Sequence, residues 1–344
     1  MSFGVPRVSL VVCATAVLFV SAASGASILT PYNAIVSGYF VDTASDICGG
    51  LAAGGTVTLG TGGSSYNVAD DLNGEAISSF PLSTSTNGKY TNIGTPFVTV
   101  GGVANVTING TTYNTDTVKP NAGNYYVSSG SIDASADTTG ASTSTNPVTF
   151  STTFSALSTL SSGLGTQTTT SGGSVANANN VTTITVTQAG PNYVTVTATQ
   201  LAADEIEFVG VSSSAWVIVN VAGSSVTLEP SWGTYFCTSA GVGCAQETGD
   251  GATGAEDVLY NFYQANSVTL ADTVVGSMLA PGAAVTDAGN QYDGSLVAAS
   301  FVGAAEFHNL NFAGSTFTPE PAPIAGVGLG LIALACVRRR RRRA

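Results

Sequence analysis

Hydrophobic and polar residues alternate over short segments of this chain, a pattern that predicts β-strands separated by tight turns. Between Tyr32 and Gly110 the apolar runs are short, rich in β-branched residues and punctuated by glycine pairs. From Val181 to Thr199 threonine alternates with valine or isoleucine, so these strands should bury the aliphatic side chains and expose threonine. The apolar run from Trp216 to Val221 predicts a fully buried strand.

One segment has a helical period instead. Apolar residues recur at positions 150, 154, 157, 160 and 164, which places them along one stripe of a helix. We therefore expect a single helix over about 150–164, packed along the β body. Residues 121–147 and 165–180 are rich in Ser, Thr, Asn, Ala and Gly, and we expect exposed loops there.

These elements predict an all-β fold with one flanking α-helix. Glycine pairs beside short Val/Thr strands suit a parallel β-solenoid (β-helix), in which each coil makes sharp corners and stacks on the next. We interpret Gly54-Gly55 and Gly101-Gly102 as corner glycines, since no phosphate-loop pattern accompanies them. A Greek-key sandwich gives similar local signals, and composition does not separate the two folds.

The amino end has the three parts of a secretory signal. Arg7 precedes an apolar stretch from Val8 to Val20, and small residues follow up to Ala26. At 13 residues the stretch is shorter than the roughly 17 to 25 that span a bilayer. We expect a signal peptide over 1–26, export by the Sec machinery, and an ectodomain over 27–318.

The carboxyl end carries the pattern of a second targeting signal. Pro319, Glu320 and Pro321 precede an apolar segment, 324–337, and an arginine block. The block consists of Arg338, Arg339, Arg340, Arg341, Arg342 and Arg343. A simple tail anchor would explain a short transmembrane helix followed by cytoplasmic arginines. The three-part order over 319–344 resembles a PEP-CTERM sorting signal. That resemblance implies a Gram-negative-type bacterium, transient inner-membrane anchoring, removal of the tail by an exosortase, and transfer to the cell surface or medium.

The distribution of charge excludes several partners. The formal net charge is −12, but six of the nine basic residues lie in the terminal arginine block. Lys89 and Lys119 are the only cations between residues 27 and 318, against 20 acids, so this span carries a formal charge of −18. Such a body cannot neutralise a row of phosphates, and we expect no nucleic-acid binding. It would also be repelled by anionic lipid.

The five cysteines fit an exported protein. Cys237 and Cys244 enclose a six-residue loop with two glycines, a spacing that suits a local disulfide in an oxidising compartment. Cys13 and Cys336 belong to the two terminal segments. Cys48 has no obvious partner, and we expect a buried thiol.

Candidate chemistry is sparse. Glu306 and His308 would face the same side of a strand, as a structural pair or as the acid and base of a secreted hydrolase. Asp70, Asp71 and Glu75 could supply oxygen ligands to calcium, although a solvated acidic turn is the preferred interpretation. The same interpretation applies to the acidic group at 204–207. Otherwise we expect no metal and no cofactor.

Landmarks spread along 32–314 resemble those of the choice-of-anchor A domain family. The opening landmarks include Asn33, Gly38, Ser45, Asp46, Gly49, Gly54 and Gly55. The middle helix resembles that family's apolar helical segment, and the last third carries Asn261, Phe262, Leu279, Ala280, Pro281, Gly294, Glu306 and His308. The resemblance implies an extracellular adhesive domain related to bacterial ice-binding proteins, which are β-solenoids with a helix laid alongside.

The sequence therefore predicts an exported, non-enzymatic surface adhesin or matrix component. It would bind extracellular polysaccharide or other polymer through exposed β faces. Ice binding is an alternative, motivated by the rows Thr56/Thr58, Thr183/Thr185 and Thr195/Thr197, which would have to form one flat plane. The segments 121–147 and 230–258 look long for the family, and the sequence assigns them no contacts.

Overall fold

The fold was analysed in a computed structural model of the chain. It describes residues 32–43, 46–68, 82–84, 90–92, 98–120, 125–132, 145–229, 231, 233–249, 252–288 and 291–314. Within these ranges short strands dominate. Two α-helices, α1 (Phe150–Gly165) and α2 (Ala198–Leu201), and one 3-10 helix, Thr253–Asp257, accompany them.

The first half of the chain contributes β1 Ala34–Val36, β2 Phe40–Asp42, β3 Asp46–Ile47, β4 Leu51–Leu59, β5 Ser65–Val68, β6 Leu82–Thr84, β7 Tyr90–Asn92, β8 Val98–Val103, β9 Val106–Ile108, β10 Thr111–Tyr113, β11 Thr117–Pro120 and β12 Tyr125–Val127. The second half contributes β13 Ser174–Ala178, β14 Val181–Thr185, β15 Asn192–Thr197, β16 Glu205–Val209, β17 Val217–Ala222, β18 Ser225–Leu228, β19 Gly233–Cys237, β20 Ala245–Gln246, β21 Val258–Asn261, β22 Ser267–Leu270, β23 Val274–Val275, β24 Ser277–Asp287, β25 Gln291–Asp293, β26 Leu296–Gly303 and β27 Glu306–His308.

Parallel pairing organises the two largest sheets. The first has twelve strands, in the order β12-β8-β4-β1-β26-β24-β21-β17-β15, with β2 beside β26 and β4, and with β22 joining β18 to β24. The second has six strands, in the order β11-β5-β3-β27-β25-β23. A third sheet, β13-β14-β16-β19-β20, is parallel in its middle and antiparallel at both edges. Because parallel strands cannot be joined by hairpins, each parallel pair needs a longer crossover connection.

The twelve-stranded sheet bends along its length into two parts. Strands β17 and β21 pair with each other before the bend, and β18 and β22 pair after it. The long strand β24 runs through both parts, with its pairing to β26 shifted between Ala280 and Ala284. We call the outer surface of the first part, which contains β17 and β21, the helix face. We call the outer surface of the second part, which contains β18 and β22, the open face.

Helix α1 covers the helix face. Its buried residues Phe154, Leu157 and Leu164 pack in one apolar cluster with outward side chains of the first part of the sheet. Those partners are Ile35, Ala52, Ile218, Leu259, Leu279 and Val297. The alternate residues of the same strands point inward and join a separate, larger core. This period-two division is why apolar residues run almost continuously through β17, β21 and β26.

The predicted helix is confirmed, and it is one residue longer at its carboxyl end. Two segments predicted as loops also contain strands, which is a correction. Tyr125–Val127 pairs with β8, and Ser174–Ala178 pairs with β14. Both strands lie at sheet edges, where one face and one side remain in solvent. The solvent-exposed side of an edge strand needs no apolar residues, so these segments can pair without a continuous apolar pattern.

Both glycine pairs lie inside strands, Gly54-Gly55 in β4 and Gly101-Gly102 in β8, and their interpretation as corner glycines stays a prediction. Gly54 and Gly55 belong to β4, at the point where its register to β8 shifts. A Cβ atom on Gly101 would lie 2.5 Å from the carbonyl oxygen of Gly54. The stacked glycines let neighbouring backbones approach closely where the sheet bends.

Among the described residues, no helix has the length and apolarity needed to cross a membrane. The expected signal peptide over 1–26, the tail over 319–344 and its apolar segment 324–337 lie outside the described ranges.

Candidate ligand-binding surface

Hydroxyl side chains form a regular grid on the open face. Thr227, Thr269 and Thr286 occupy matching positions on the paired strands β18, β22 and β24. Two residues earlier, Ser225, Ser267 and Ala284 form a second row in the same register. Since parallel strands lie about 4.8 Å apart and alternate residues are about 6.6 Å apart, the six positions make a regular lattice of five hydroxyl groups and the Ala284 methyl group. We call them the hydroxyl grid.

Burial fixes which side of these strands faces solvent. Val226, Val268 and Val285 are 2 %, 0 % and 1 % exposed, so they anchor the strands in the core. Ser225, Ser267, Thr269, Ala284 and Thr286 are exposed, and Thr227 is half-buried. The grid is therefore held rigidly from below while its hydroxyl groups remain in solvent.

Hydrogen bonds within the grid orient the hydroxyl groups. Ser267 Oγ donates to Ser225 Oγ at 3.1 Å, and Thr286 Oγ1 donates to Thr269 Oγ1 at 3.4 Å. Each hydroxyl group keeps further donor or acceptor capacity for a ligand. The chemistry offered is neutral, hydroxylated and lightly apolar, which matches a sugar polymer or ordered water.

The three threonine rows proposed from the sequence do not make one plane, which is a correction. Thr183 and Thr185 lie on β14 in the five-stranded sheet, away from the strand of Thr56 and Thr58. Thr58 is fully buried, and its hydroxyl donates to Ala104 O at 2.5 Å. The rows on β4 and β15 belong to one sheet but lie at well-separated strand positions.

The hydroxyl grid was missed by the sequence argument, although a signal for it exists. Residues 225–228 and 267–270 carry the same tetrapeptide, Ser-Val-Thr-Leu. Identical segments that pair in register stack identical side chains, which is the arrangement found between β18 and β22. A search for short internal repeats would have found these two strands, but not the third, Ala284-Val285-Thr286.

His308 and Glu306 lie on β27 with their side chains on the same side, as expected. His308 Nε2 is 3.7 Å from Glu306 Oε1. The sequence argument missed Asp293 on the adjacent strand β25, whose Oδ1 is 2.5 Å from His308 Nδ1. His308 is 4 % exposed, and both ring nitrogens face carboxylates. The contact between His308 and Asp293 is suited to joining strands β27 and β25.

Several of the family-like landmarks join distant parts of the backbone. The Asn33 amide donates to Gly294 O at 2.6 Å and to His308 O at 3.0 Å, and its Oδ1 accepts from Gly49 N at 3.3 Å. Gly294 has φ +155°, and a Cβ there would lie 2.4 Å from the Gly276 carbonyl oxygen. These residue types are required by buried hydrogen bonds and close packing.

Asn261 and its neighbours hold the carboxyl end of α1. The Asn261 amide donates to Ser161 O at 2.9 Å and to Asn220 Oδ1 at 2.8 Å. The Asn220 amide donates to Leu164 O at 2.8 Å, and Ser161 Oγ donates to Asn261 Oδ1 at 2.6 Å. The two asparagines are register partners on β17 and β21. They add side-chain donors to carbonyl groups in the last turns of the helix, and so fasten α1 to β17 and β21.

The remaining landmarks are structural where they are described. Phe262, Leu279 and Ala280 are buried in the core, and a Cβ on Gly38 would lie 2.9 Å from Ala299 O. Pro281 is buried within β24, and Asp46 begins β3. Ser45 lies outside the described residues.

A disulfide joins Cys237, at the end of β19, to Cys244. Its loop lies in the 230–258 segment, which contributes β19, β20 and the 3-10 helix to the body. Cys48 is a free cysteine and is buried.

The acidic segments differ from the expectation of solvated turns. Asp70, Asp71 and Glu75 lie outside the described residues, so their proposed calcium chemistry stays a prediction. Glu205 and Glu207 belong to strand β16, which is a correction. Glu207 is 6 % exposed and accepts a hydrogen bond from Thr183 Oγ1 at 2.8 Å, because a parallel neighbour covers it.

A family model described as "Putative Ice-binding-like adhesive domain" matches residues 25–309, which is most of the chain. No curated protein matches the sequence.

Proposed function

Because the chain belongs to the ice-binding-like adhesive domain family, we propose that it is an adhesin-like surface protein that binds extracellular polysaccharide or matrix polymer. The hydroxyl grid is the observation that carries this proposal. A flat, rigid lattice of neutral hydroxyl groups complements the repeated hydroxyl groups of a sugar chain, and the same contact recurs along the polymer. Once one sugar unit is bound, the neighbouring units are held close to the grid at a high effective concentration. Many weak contacts can therefore give a strong overall attachment.

The architecture that we propose is a parallel β-solenoid with α1 laid along one side. The support is the register-matched parallel pairing in the twelve-stranded and six-stranded sheets. A solenoid presents long, regular surfaces, and this suits binding to extended polymers. Residues 27–318 would form this ectodomain.

A non-enzymatic role is part of the proposal. It is supported by the environment of His308, which is buried with one ring nitrogen facing Asp293 and the other facing Glu306. Carboxylates at both ring nitrogens suit an imidazole that joins strands. This geometry therefore favours the structural role over the hydrolase alternative built on Glu306 and His308.

Export and surface sorting complete the proposal. We propose that residues 1–26 direct Sec export and that residues 319–344 are removed by an exosortase after transient inner-membrane anchoring. The disulfide between Cys237 and Cys244 supports an oxidising destination, since such bonds persist outside the cytosol. Intact-mass measurement of protein recovered from the cell surface and the medium tests both cleavages; a full-length mass would refute them.

The polysaccharide proposal is tested with a glycan array that displays bacterial and plant polysaccharides. We expect the purified protein to bind one or more neutral polymers and Thr269→Arg to lose that binding. Retention of every signal by the variant would show that the hydroxyl grid is not the binding surface.

Ice binding is the second candidate, and the same grid favours it. Ordered water can be held by a flat lattice of hydroxyl groups above methyl groups, as Thr227, Thr269 and Thr286 provide. Thermal hysteresis and ice-recrystallisation assays test it directly. Absence of both activities at high protein concentration would leave polymer binding as the function of the face.

A further inference from the structure

A second concave site lies away from the hydroxyl grid. It is an open cleft of about 410 Å³ lined by Trp216, Phe236, Glu247, Glu256 and Asp257, with Ser212 at its rim. The cleft lies between the turn that follows β16, the strand β19 and the 3-10 helix. These walls come from residues far apart in the sequence, so only the folded chain brings them together.

The aromatic walls are fixed in place by packing. Phe236 stacks on the buried ring of Phe208, with 5.3 Å between ring centroids. Gly254 lies directly on the Phe236 ring, since a Cβ atom there would be 2.5 Å from Phe236 Cζ. Trp216 is partly buried against the cluster that contains Phe312. Both rings therefore offer preorganised apolar surfaces.

The carboxylates differ in how they are held. Glu247 Oε2 accepts a hydrogen bond from the backbone N–H of Gly254 at 2.7 Å, which holds the Glu247 carboxylate at the amino end of the 3-10 helix. Asp257 is only 9 % exposed, and within the described residues its carboxylate accepts no hydrogen bond. Burial, followed by the charges of Glu256 and Glu247, raises the pKa of Asp257 to about 6.

The cleft has no positive charge of its own to balance these acids, because no basic residue lines it. A buried carboxylate without a partner costs free energy in the empty protein. Such groups are concentrated at sites where a ligand supplies the missing partner. The missing partner here is a cationic hydrogen-bond donor.

Aromatic and hydroxyl neighbours restrict the identity of that cation. A bare calcium ion binds through six to eight oxygen ligands, whereas this cleft combines carboxylates with the apolar rings of Trp216 and Phe236. An ammonium group on an organic frame gains from both the carboxylates and the aromatic face. Ser212 lines the cleft, and its hydroxyl group is oriented by the Ser214 hydroxyl group 3.1 Å away, which suits a hydroxylated ligand.

We propose that this cleft binds an amino sugar: a hexosamine unit with a free ammonium group. The ammonium group pairs with Asp257, the apolar face of the sugar ring packs on Trp216, and the ring hydroxyl groups meet Ser212 and Glu247. This site is independent of the hydroxyl grid. It would let the protein hold a partly deacetylated amino-sugar polymer at a defined point.

The test uses Trp216 as its own reporter. The sequence has two tryptophans, so Trp232→Phe leaves Trp216 as the only tryptophan, and its emission is read under selective excitation of tryptophan. Titration with a glucosamine tetramer should change this fluorescence, and calorimetry on the unaltered protein should give the same affinity. We expect the N-acetylglucosamine tetramer, which lacks the ammonium group, to bind at least tenfold more weakly.

Variants separate this site from the rest of the surface. Asp257→Asn should weaken binding of the glucosamine tetramer at least tenfold, whereas Glu229→Gln, an exposed acid outside the cleft lining, should leave it unchanged. Thr195→Arg, at an exposed threonine outside both the cleft lining and the hydroxyl grid, should also leave it unchanged, so a general effect of surface charge remains distinguishable. Equal binding of both tetramers, equally tight binding of a tetralysine peptide, or full binding by Asp257→Asn would overturn the proposal.

Discussion

Nδ1 of His308 lies 2.5 Å from Oδ1 of Asp293, across the paired strands β27 and β25, and both residues are buried. The other oxygen of Asp293 accepts the backbone N–H of Gly249 at 2.9 Å. One carboxylate therefore connects two strands of the six-stranded sheet to the segment that precedes the 3-10 helix.

Removing this carboxylate should destabilise the fold strongly. We expect Asp293→Ala to lower the free energy of unfolding by about 3 to 5 kcal/mol, because the buried imidazole and the Gly249 N–H both lose their partner. Urea unfolding measures the change. Glu306→Gln is the matched control, since the Glu306 side chain is 41 % exposed and should contribute less than about 1 kcal/mol. Equal losses for the two variants would contradict the assigned role.

The asparagine pair should determine how firmly α1 is attached. We expect Asn261→Ala to lower the free energy of unfolding by about 3 kcal/mol, because it strands buried polar groups of Ser161 and Asn220. Hydrogen exchange should show the loss first in α1. The exposed helix residue Thr159→Ala provides the control, and unchanged protection of α1 in Asn261→Ala would be evidence against this attachment.

Asp257 should reduce stability at neutral pH. Because its pKa rises from 3.8 to about 6 on folding, the folded state holds this proton more tightly than the unfolded state. The protonated Asp257 carboxyl group therefore contributes fully to stability below about pH 4. This contribution is lost as the pH rises through about 6 and the group ionises. We therefore expect Asp257→Asn to stabilise the protein by up to about 3 kcal/mol at pH 7.5 and by almost nothing at pH 3.5. Thermal and urea unfolding at both pH values test the difference, and a pH-independent effect would disprove this origin.

The hydroxyl grid should tolerate substitution without loss of stability. Thr269 is exposed, so Thr269→Arg should change the free energy of unfolding by less than about 0.5 kcal/mol. Its long charged side chain should nevertheless abolish binding to any polysaccharide identified on the array. Thr195→Arg, at an exposed threonine on the edge strand β15, is the matched control and should bind normally. Equal loss in both variants would indicate a nonspecific charge effect.

Local features of the fold could be predicted, because they depend on neighbouring residues. The apolar stripe from Phe150 to Leu164 predicts α1, since side chains three and four apart share a helix face. Period-two alternation likewise predicts β14 and β15. The loop between Cys237 and Cys244 predicts a disulfide because its short length keeps the two cysteines near each other.

Long-range relationships could not be predicted, because they depend on how far the chain travels between paired strands. Thr227 and Thr269 are 42 positions apart, and their alignment depends on the whole segment between them. The same reason explains why Asp293 was missed as a partner of His308, and why Trp216 was not linked to Asp257. Sequence periodicity identifies what a strand exposes, but it does not identify which strand lies beside it.

Strand β1 lies between β26 and β4, so that Ala34 pairs with both Leu296 and Leu51. During synthesis β1 therefore gains its second neighbour only after Leu296 has been made. Pairing between such distant residues is slow, because loop closure must precede the contacts that reward it. A chain that completes its central sheet last stays unfolded for longer, which suits the proposed Sec export.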